Sequence, residues 1–267
     1  MAQVWIDRVD DPRIAAYVDV RERDLRGRDD CFIAEGEVVI DTALAGGRAL
    51  RSVLVSDRRV EADAALLARV PAGVPIYVMP RALMQEVVGF PIHRGLLAVG
   101  ERGAAPTVDQ LLAGLGPRAT VVAAIGVVNH DNMGGLFRNA AAFGVDAVLL
   151  DGAACDPLYR KAIRVSVGGA LVVPFARAPS AEALLTALVA HDVDVIALAP
   201  RAPTRIDQLV AGPRRALVVG TEGPGLPREI LARTRTARID IVPGFDSLNV
   251  AVAAGIALHA LYVQRDR

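Results

Sequence analysis

Three separated segments in the second half of the chain combine glycines with polar side chains at the predicted ends of apolar runs. Glycine lets a ligand approach the backbone closely, and the polar side chains supply hydrogen bonds and charge. Because the three segments share this design, we expect them to form one ligand-binding site. They are NMGGLFRNA at residues 132–140, VGTEGPG at residues 219–225 and PGFDSLNV at residues 243–250.

The elements that must position this site alternate between strand and helix. TVVAAIGV at residues 120–127 is an apolar run typical of a strand buried on both faces, and a motif loop follows it directly. GLFRNAAAFG then predicts an alanine-rich helix that stops at Gly144, and residues 180–191 predict another helix. Further strands are predicted in DAVLLDG, ALVVPFA, VDVIALAP, ALVVGTEGPG and ARIDIVPG. The pattern predicts a parallel sheet covered by helices on both sides, with the three segments at the carboxyl ends of its strands.

The first half predicts a smaller α/β domain. FIAEGEVVIDTALA reads as a strand followed by a helix, and further strands are predicted in LRSVLVS, PIYVMP and HRGLLAVGER. We therefore predict a first domain at residues 1–101, a linker with Gly and Pro at both ends at residues 102–118, and a second domain at residues 119–267.

Composition limits the class of protein. The 267 residues are 53% hydrophobic with a net charge of zero, so they can bury a substantial core but do not indicate a nucleic-acid partner. No apolar stretch reaches the ~18 residues of a membrane span, and the N-terminus lacks the order of a signal peptide, so we expect a cytoplasmic protein. Cys31 and Cys155 have no metal-binding spacing, which predicts buried free thiols and no metal site.

The spacing of the three motifs resembles that of the SpoU (TrmH-like) RNA 2′-O-ribose methyltransferases of the SPOUT superfamily. The resemblance covers the chain from about Thr120 to its C-terminus. IAEGEVVIDTAL and HRGLLAVG also resemble the family's accessory RNA-binding domain, a ribosomal-protein-like α/β unit. The motifs are Asn132-x-Gly134-x-x-x-Arg138-Asn139-Ala140, Gly220-x-Glu222-Gly223-x-Gly225 and Ser247-Leu248-Asn249-Val250-Ala251.

The resemblance implies an α/β fold with a C-terminal trefoil-knotted methyltransferase domain, which dimerises and binds S-adenosylmethionine as methyl donor without a metal. The implied acceptor is a ribose 2′-hydroxyl of structured RNA, with rRNA favoured over tRNA. An RNA-binding module or resistance factor that acts without catalysis is the alternative. The implied catalytic residues are Arg138, Asn132, Glu222, Ser247 and Asn249. The implied cofactor-binding residues are Gly220, Thr221, Glu222, Gly223, Ile239, Ile241, Leu248 and Asn249.

Arg138 is the residue to which the resemblance gives the central role, often as a general base. An arginine side chain in water keeps its proton far above neutral pH, so neutralising one near pH 7 costs about 7 kcal/mol. We therefore expect Arg138 to bind phosphate and steer the hydroxyl at least as much as it takes the proton. The structural alternative is a surface charge paired with Asp146 or Asp151.

Other polar positions in the motifs also have structural interpretations. Asn132 is typical of a turn with positive φ before a glycine, and Ser247 with Asn249 is typical of an N-cap for the apolar helix that follows. Gly220-x-x-Gly223-x-Gly225 superficially resembles a dinucleotide-binding loop, but its order differs from GxGxxG and prolines crowd it. The sequence therefore favours the methyltransferase over a dinucleotide-dependent oxidoreductase.

Overall fold

The computed structural model describes residues 3–20, 30–89, 92, 94–221, 223 and 225–264. Contacts divide the chain into two compact units. The first consists of Met1–Gly103 with Leu158–Val172, and the second of Ala104–Pro157 with Val173–Arg267. Among the described residues, no helix combines the length and the apolar character that crossing a membrane requires.

The first unit is built on a mixed five-stranded sheet in the order β1-β4-β3-β5-β2. Its strands are β1 Gln3–Trp5, β2 Cys31–Glu35, β3 Leu50–Ser56, β4 Ile76–Met79 and β5 Leu96–Glu101. Its first helices are α1 Glu37–Ala45, α2 Ala64–Leu67 and α3 Arg81–Val88. The sheet pairs β2 and β3 antiparallel to β5, so β2 and β3 end at the edge where β5 begins.

The second unit contains a seven-stranded sheet in the order β10-β12-β9-β11-β6-β7-β8, and every pairing in it is parallel. The strands are β6 Ala119–Ala124, β7 Ala147–Leu150, β8 Phe175–Arg177, β9 Asp194–Leu198, β10 Thr204–Arg205, β11 Arg214–Val219 and β12 Arg235–Arg238. The remaining α-helices among the described residues are α4 Val108–Ala113, α5 His130–Ala142, α6 Arg160–Val165, α7 Gly169–Val172, α8 Ala181–Ala190, α9 Arg228–Ala232 and α10 Val250–Val263. Of these, α6 and α7 belong to the first unit.

The central strands of the second unit agree with the apolar pattern of the sequence. Every residue of β6 and β7 is buried, as strands covered on both faces require. The prediction of an α/β fold with a parallel sheet is confirmed. The elements around this sheet place the predicted motifs at the carboxyl ends of β6, β11 and β12.

The two units defined by residue contacts differ in two places from the domains predicted from the sequence. The predicted linker at residues 102–118 contains α4, whose Thr107 and Gln110 form a reciprocal capping box. Val108 and Leu112 are buried in the core of the second unit, so this segment packs as part of that unit. In addition, residues Leu158–Val172 pack with the first unit, although they lie within the predicted second domain.

Candidate active site

The first motif lies in a helix. The predicted motif loop before Gly135 is wrong, because α5 begins at His130 and includes Asn132. Asn129 is the N-cap, and its Oδ1 accepts hydrogen bonds from the backbone N–H of Asp131 at 2.7 Å and of Asn132 at 3.3 Å. Asn132 therefore has helical backbone, and the turn with positive φ considered for it does not occur.

The first and third motifs meet through a side-chain hydrogen bond. Asn249 donates from its Nδ2 to Oδ1 of Asn132 at 2.8 Å. Asn249 is also the N-cap of α10, since its Oδ1 accepts from the N–H groups of Ala251 at 3.0 Å and Val252 at 3.2 Å. The N-cap role predicted for this motif is confirmed for Asn249, and the same side chain joins two of the predicted site residues.

Helices α5 and α10 approach each other closely beside this bond. Asn139 donates from Nδ2 to the carbonyl of Ala251 at 2.6 Å. A Cβ built on Gly135 would lie 2.6 Å from the Cβ of Ala251, and one on Gly255 would lie 3.0 Å from Nδ2 of Asn139. The close packing of α5 and α10 therefore explains the two glycines inside these helices. Small residues on two predicted helices are a sequence signal for such a contact.

Arg138 lies on the exposed side of α5. Within the part of the chain that the structure describes, its side chain has no hydrogen bond or ion pair. The carboxylates considered as its partners are engaged elsewhere, because Asp146 accepts from the N–H of Thr120 and Asp151 accepts from the N–H of Gly126. The guanidinium therefore remains available to an external ligand.

The second motif forms a turn directly after β11. Thr221 and Gly225 pair as an isolated antiparallel bridge, and both Gly223 and Gly225 have positive φ with open space where a Cβ would be. A Cβ on Gly220 would lie 2.7 Å from the carbonyl carbon of Gly225. Gly220 is therefore required by the turn itself, whereas we expected the ligand to require it. Glu222, predicted for both catalysis and cofactor binding, lies outside the described residues.

The remaining predicted cofactor residues follow β12. Ile239 and Ile241 lie after the strand, which ends at Arg238, and both side chains are half-buried, as is Leu248. Ser247 is exposed, and its hydroxyl donates to Asp246 at 3.3 Å. No hydrogen bond among the described residues links Ser247 to Asn132 or Arg138, so the structure brings Asn249 but not Ser247 to the first motif.

The first and second motifs are connected through a glycine that the sequence analysis did not select. Gly126, between β6 and α5, has a φ of +65°, and the Cβ of Thr221 lies 3.6 Å from the place of a Gly126 Cβ. The N–H of Gly126 donates to Asp151, which is buried at the end of β7. A glycine after an apolar strand was the available signal, but the role of Asp151 has no local sequence pattern.

The arrangement provides a backbone-lined turn at the end of β11, beside two helix N-termini joined by amide side chains. The N-terminus of a helix favours negative charge because the aligned peptide dipoles place partial positive charge there. An exposed arginine and half-buried aliphatic side chains complete this edge of the sheet. Such an edge can bind a ligand with a flat apolar part against backbone and an anionic part near Arg138. No group of three or more potential metal-ligating side chains occurs among the described residues.

The fold and site define an α/β enzyme domain of the kind that binds its ligands at the carboxyl ends of parallel strands. Residues 119–259 match the model of the SpoU rRNA Methylase family. The chain belongs to this family, and it is therefore an RNA methyltransferase.

Relatives and solved structures agree with this assignment. An uncharacterized tRNA/rRNA methyltransferase from Mycobacterium tuberculosis (strain ATCC 25618 / H37Rv) is 38% identical over 94% of this chain and 88% of its own length. A crystal structure of an RNA 2′-O ribose methyltransferase has a TM-score of 0.82 and 26% identity, with 100% of both chains covered. An AdoMet-bound rRNA methyltransferase from Sinorhizobium meliloti shares the fold, with a TM-score of 0.80 at 24% identity over 96% of each chain.

Proposed function

We propose that this enzyme transfers a methyl group from S-adenosylmethionine to a ribose 2′-hydroxyl of structured RNA, with rRNA as the target. The observation that carries the proposal is the 2.8 Å hydrogen bond from Asn249 to Asn132, which joins the N-termini of α10 and α5 beside the turn after β11. Support for the ribose comes from the likeness to an RNA 2′-O ribose methyltransferase at 26% identity.

S-adenosylmethionine supplies a methyl group that its sulfonium makes electrophilic. The residues present fit such a donor, because the turn at Gly223 and Gly225 leaves open space beside the backbone. Half-buried Ile239, Ile241 and Leu248 provide apolar side chains for a flat ring. We propose that Gly220, Thr221 and Glu222 complete this pocket.

The acceptor ribose is assigned to the side of Asn132 and Arg138. A 2′-hydroxyl must be oriented toward the methyl group. As the O–CH3 bond forms, the S–CH3 bond breaks, the donor leaves as a thioether, and the hydroxyl proton passes to water. Asn132 has its Oδ1 occupied by Asn249, so its Nδ2 is the end that can donate to the 2′-oxygen. Arg138 holds the adjacent phosphate, because its planar guanidinium donates to two oxygens at once. We assign Ser247 a supporting contact to the ligand from its exposed position.

RNA binding by the first unit is part of the proposal. At the edge where β2 and β3 end, Arg94 lies against Gly36, with its Cδ 2.5 Å from the place of a Cβ on that glycine. Arg58 is exposed just after β3, and Arg59 there pairs with Asp63. The hydroxyl of Ser56 is buried at the same edge without a hydrogen-bond partner among the described residues. We assign Arg58 and Arg94 to phosphate contacts, which dominate the affinity of proteins for RNA.

The proposal also includes a trefoil knot in the second unit and a homodimer formed through the same unit. Support for the dimer comes from α10, which exposes Val252, Ile256 and Val263 at 52%, 43% and 44% on spacings of one helix face. Apolar side chains in such a row are typical of a protein interface. Light scattering that shows a monomer at micromolar concentration would refute the dimer.

Methylation of total RNA with labelled S-adenosylmethionine tests the proposal. Digestion to nucleosides followed by mass spectrometry should show label in a 2′-O-methylated nucleoside, and the modified site should resist alkaline hydrolysis. Mapping in cells with and without the gene distinguishes rRNA from tRNA. Label on a base would contradict the ribose assignment, and RNA binding with no transfer would support the alternative of a factor without catalysis.

A further inference from the structure

We propose that Asp151 is a positioning residue for methyl transfer, acting through the backbone of Gly126. This inference rests on the proposed function. Asp151 follows β7 and is only 6% exposed. Its Oδ1 accepts two hydrogen bonds of 3.0 Å, one from the N–H of Gly126 and one from the N–H of Ala154. The carboxylate thus ties the connection between β6 and α5 to the segment after β7.

Gly126 lies at the junction of the two halves of the site. It precedes Asn129, the N-cap of the helix that carries Asn132 and Arg138. It also packs against Thr221 of the turn that we assign to the methyl donor. A shift of the Gly126 peptide therefore changes the distance between the acceptor side and the donor side, and displacements of about 1 Å reduce a transfer rate by about 100-fold.

Arg177, at the end of β8, fixes the segment that carries Asp151. Its Nη1 donates to the carbonyls of Asp151 and Ala154, both at 2.7 Å, and its Nη2 donates to that of Cys155 at 3.1 Å. On the other side, the N–H of Cys155 donates to the carbonyl of Val127 at 2.9 Å. The arginine therefore holds the loop after β7 in the shape that aims the carboxylate at Gly126.

The same pair of strands offers a matched control. Asp146 precedes β7, and its Oδ2 accepts from the N–H of Thr120 in β6 at 2.8 Å. This is also a carboxylate bound to the backbone of β6, but it lies at the opposite edge of the sheet from the three motifs. A role in strand pairing alone would give Asp146 and Asp151 the same effect on catalysis.

The test compares Asp151→Ala, Asp151→Asn and Asp146→Ala in single-turnover methylation of RNA. Loss of the Asp151 carboxylate should lower the single-turnover rate of transfer by about 10-fold to 100-fold, with the concentration that gives half of the maximal rate within about twofold of wild type. Asp151→Asn keeps an oxygen for the Gly126 N–H and should restore most of the rate. Equal rates for Asp151→Ala and Asp146→Ala, or no rescue by asparagine, would overturn the proposal.

A readout without catalysis separates this inference from the proposed function. In the protein without added ligand, NMR should show faster hydrogen exchange at the Thr221 amide in Asp151→Ala and not in Asp146→Ala. Unchanged exchange at Thr221 overturns the positioning role even when the wild type methylates RNA. If the wild type fails to methylate RNA, faster exchange at the Thr221 amide in Asp151→Ala still supports the role of Asp151 in positioning the turn. Should Asp151→Ala not fold, Arg177→Gln replaces it and must give the same pattern.

Discussion

The side chain of Asn249 determines how the side chain of Asn132 faces a ligand. Its Oδ1 accepts from the N–H groups of Ala251 and Val252, so its Nδ2 must point away from the start of α10. That Nδ2 donates to Oδ1 of Asn132 at 2.8 Å. An amide that accepts with its oxygen has its Nδ2 left to donate, so helix capping at α10 sets the polarity of the amide on α5.

Replacing Asn249 by aspartate should separate capping from catalysis. A carboxylate still accepts from the N–H groups of α10 and suits the helix N-terminus, so stability should stay within about 0.5 kcal/mol. It has no donor for Oδ1 of Asn132, so the Asn132 amide should turn over, donate its Nδ2 to the carboxylate and present its oxygen to the ligand. We expect single-turnover methyl transfer to fall about 100-fold. Chemical denaturation and rapid-quench kinetics measure the two effects.

Asn249→Ala should lower both the stability and the rate of methyl transfer, because it removes the helix cap as well as the donor to Asn132. The lost stability should be about 1 kcal/mol. Ser180 is the matched control, since it caps α8 by accepting from the N–H of Ala183 at 3.1 Å. Ser180→Ala should lose stability to a similar extent and keep the transfer rate. A normal rate in Asn249→Asp would show that the amide pair has no catalytic role.

Arg138→Ala should abolish methyl transfer while the affinity for S-adenosylmethionine, measured by calorimetry, stays within about threefold. Arg138→Lys should recover little, because a lysine lacks the planar pair of donors. Arg201→Ala removes another exposed arginine of the second unit and should leave the rate unchanged. Wild-type transfer by Arg138→Ala would remove this residue from the mechanism.

The sequence predicted the parallel sheet well because β7 is wholly apolar and β6 is apolar except for Thr120, as strands buried on both faces require. It placed the start of α5 too late. The segment before Gly135 was predicted to be a loop, but Gly135 lies inside a helix, where the close approach of Ala251 explains it. The need for a glycine here comes from a contact between distant segments, and local helix propensity does not reveal such contacts.

The candidate site residues also show that a single sequence does not reveal contacts between distant segments. Asn132, Arg138 and Asn249 were predicted as site residues because they stand in short motifs with characteristic spacing. Asp151 and Arg177 belong to no motif, and their roles depend on backbone groups brought together by three neighbouring strands. Hydrogen bonds to backbone place little demand on the sequence of their partners, so a single sequence does not reveal them.

Gly220→Ala should weaken the binding of S-adenosylmethionine by distorting the turn. The added Cβ would lie 2.7 Å from backbone atoms of Gly225 and Leu226, so the turn must shift. We expect about 1 to 3 kcal/mol of lost stability and a loss of donor affinity by calorimetry. Gly116→Ala is the control, since its Cβ would come no closer than 3.8 Å to the carbonyl of Arg118. Intact donor binding in Gly220→Ala would place the donor elsewhere.

The double variant Arg58→Gln/Arg94→Gln should bind RNA more weakly and leave binding of S-adenosylmethionine unchanged. Log affinity falls as log salt rises, and the loss of two phosphate contacts should make this negative slope shallower by about 1.5. Filter binding at several salt concentrations measures this slope. Arg8→Gln is the control, because Arg8 is an exposed arginine of the same unit, paired with Asp10. An unchanged slope would assign RNA binding to another surface.

Cys155 should react slowly with iodoacetamide in the folded protein. Burial raises the pKa of its thiol to about 11, and nearby Asp156 acts in the same direction. Cys155 is half-buried, which corrects the prediction of a buried thiol, whereas Cys31 is buried. Only the thiolate reacts, so at pH 8 the rate should be at least about 100-fold below that of an ordinary cysteine. It should rise about tenfold per pH unit up to the pKa. Mass spectrometry of alkylated peptides measures the rate, and fast labelling at pH 8 would show that the loop after β7 opens in solution.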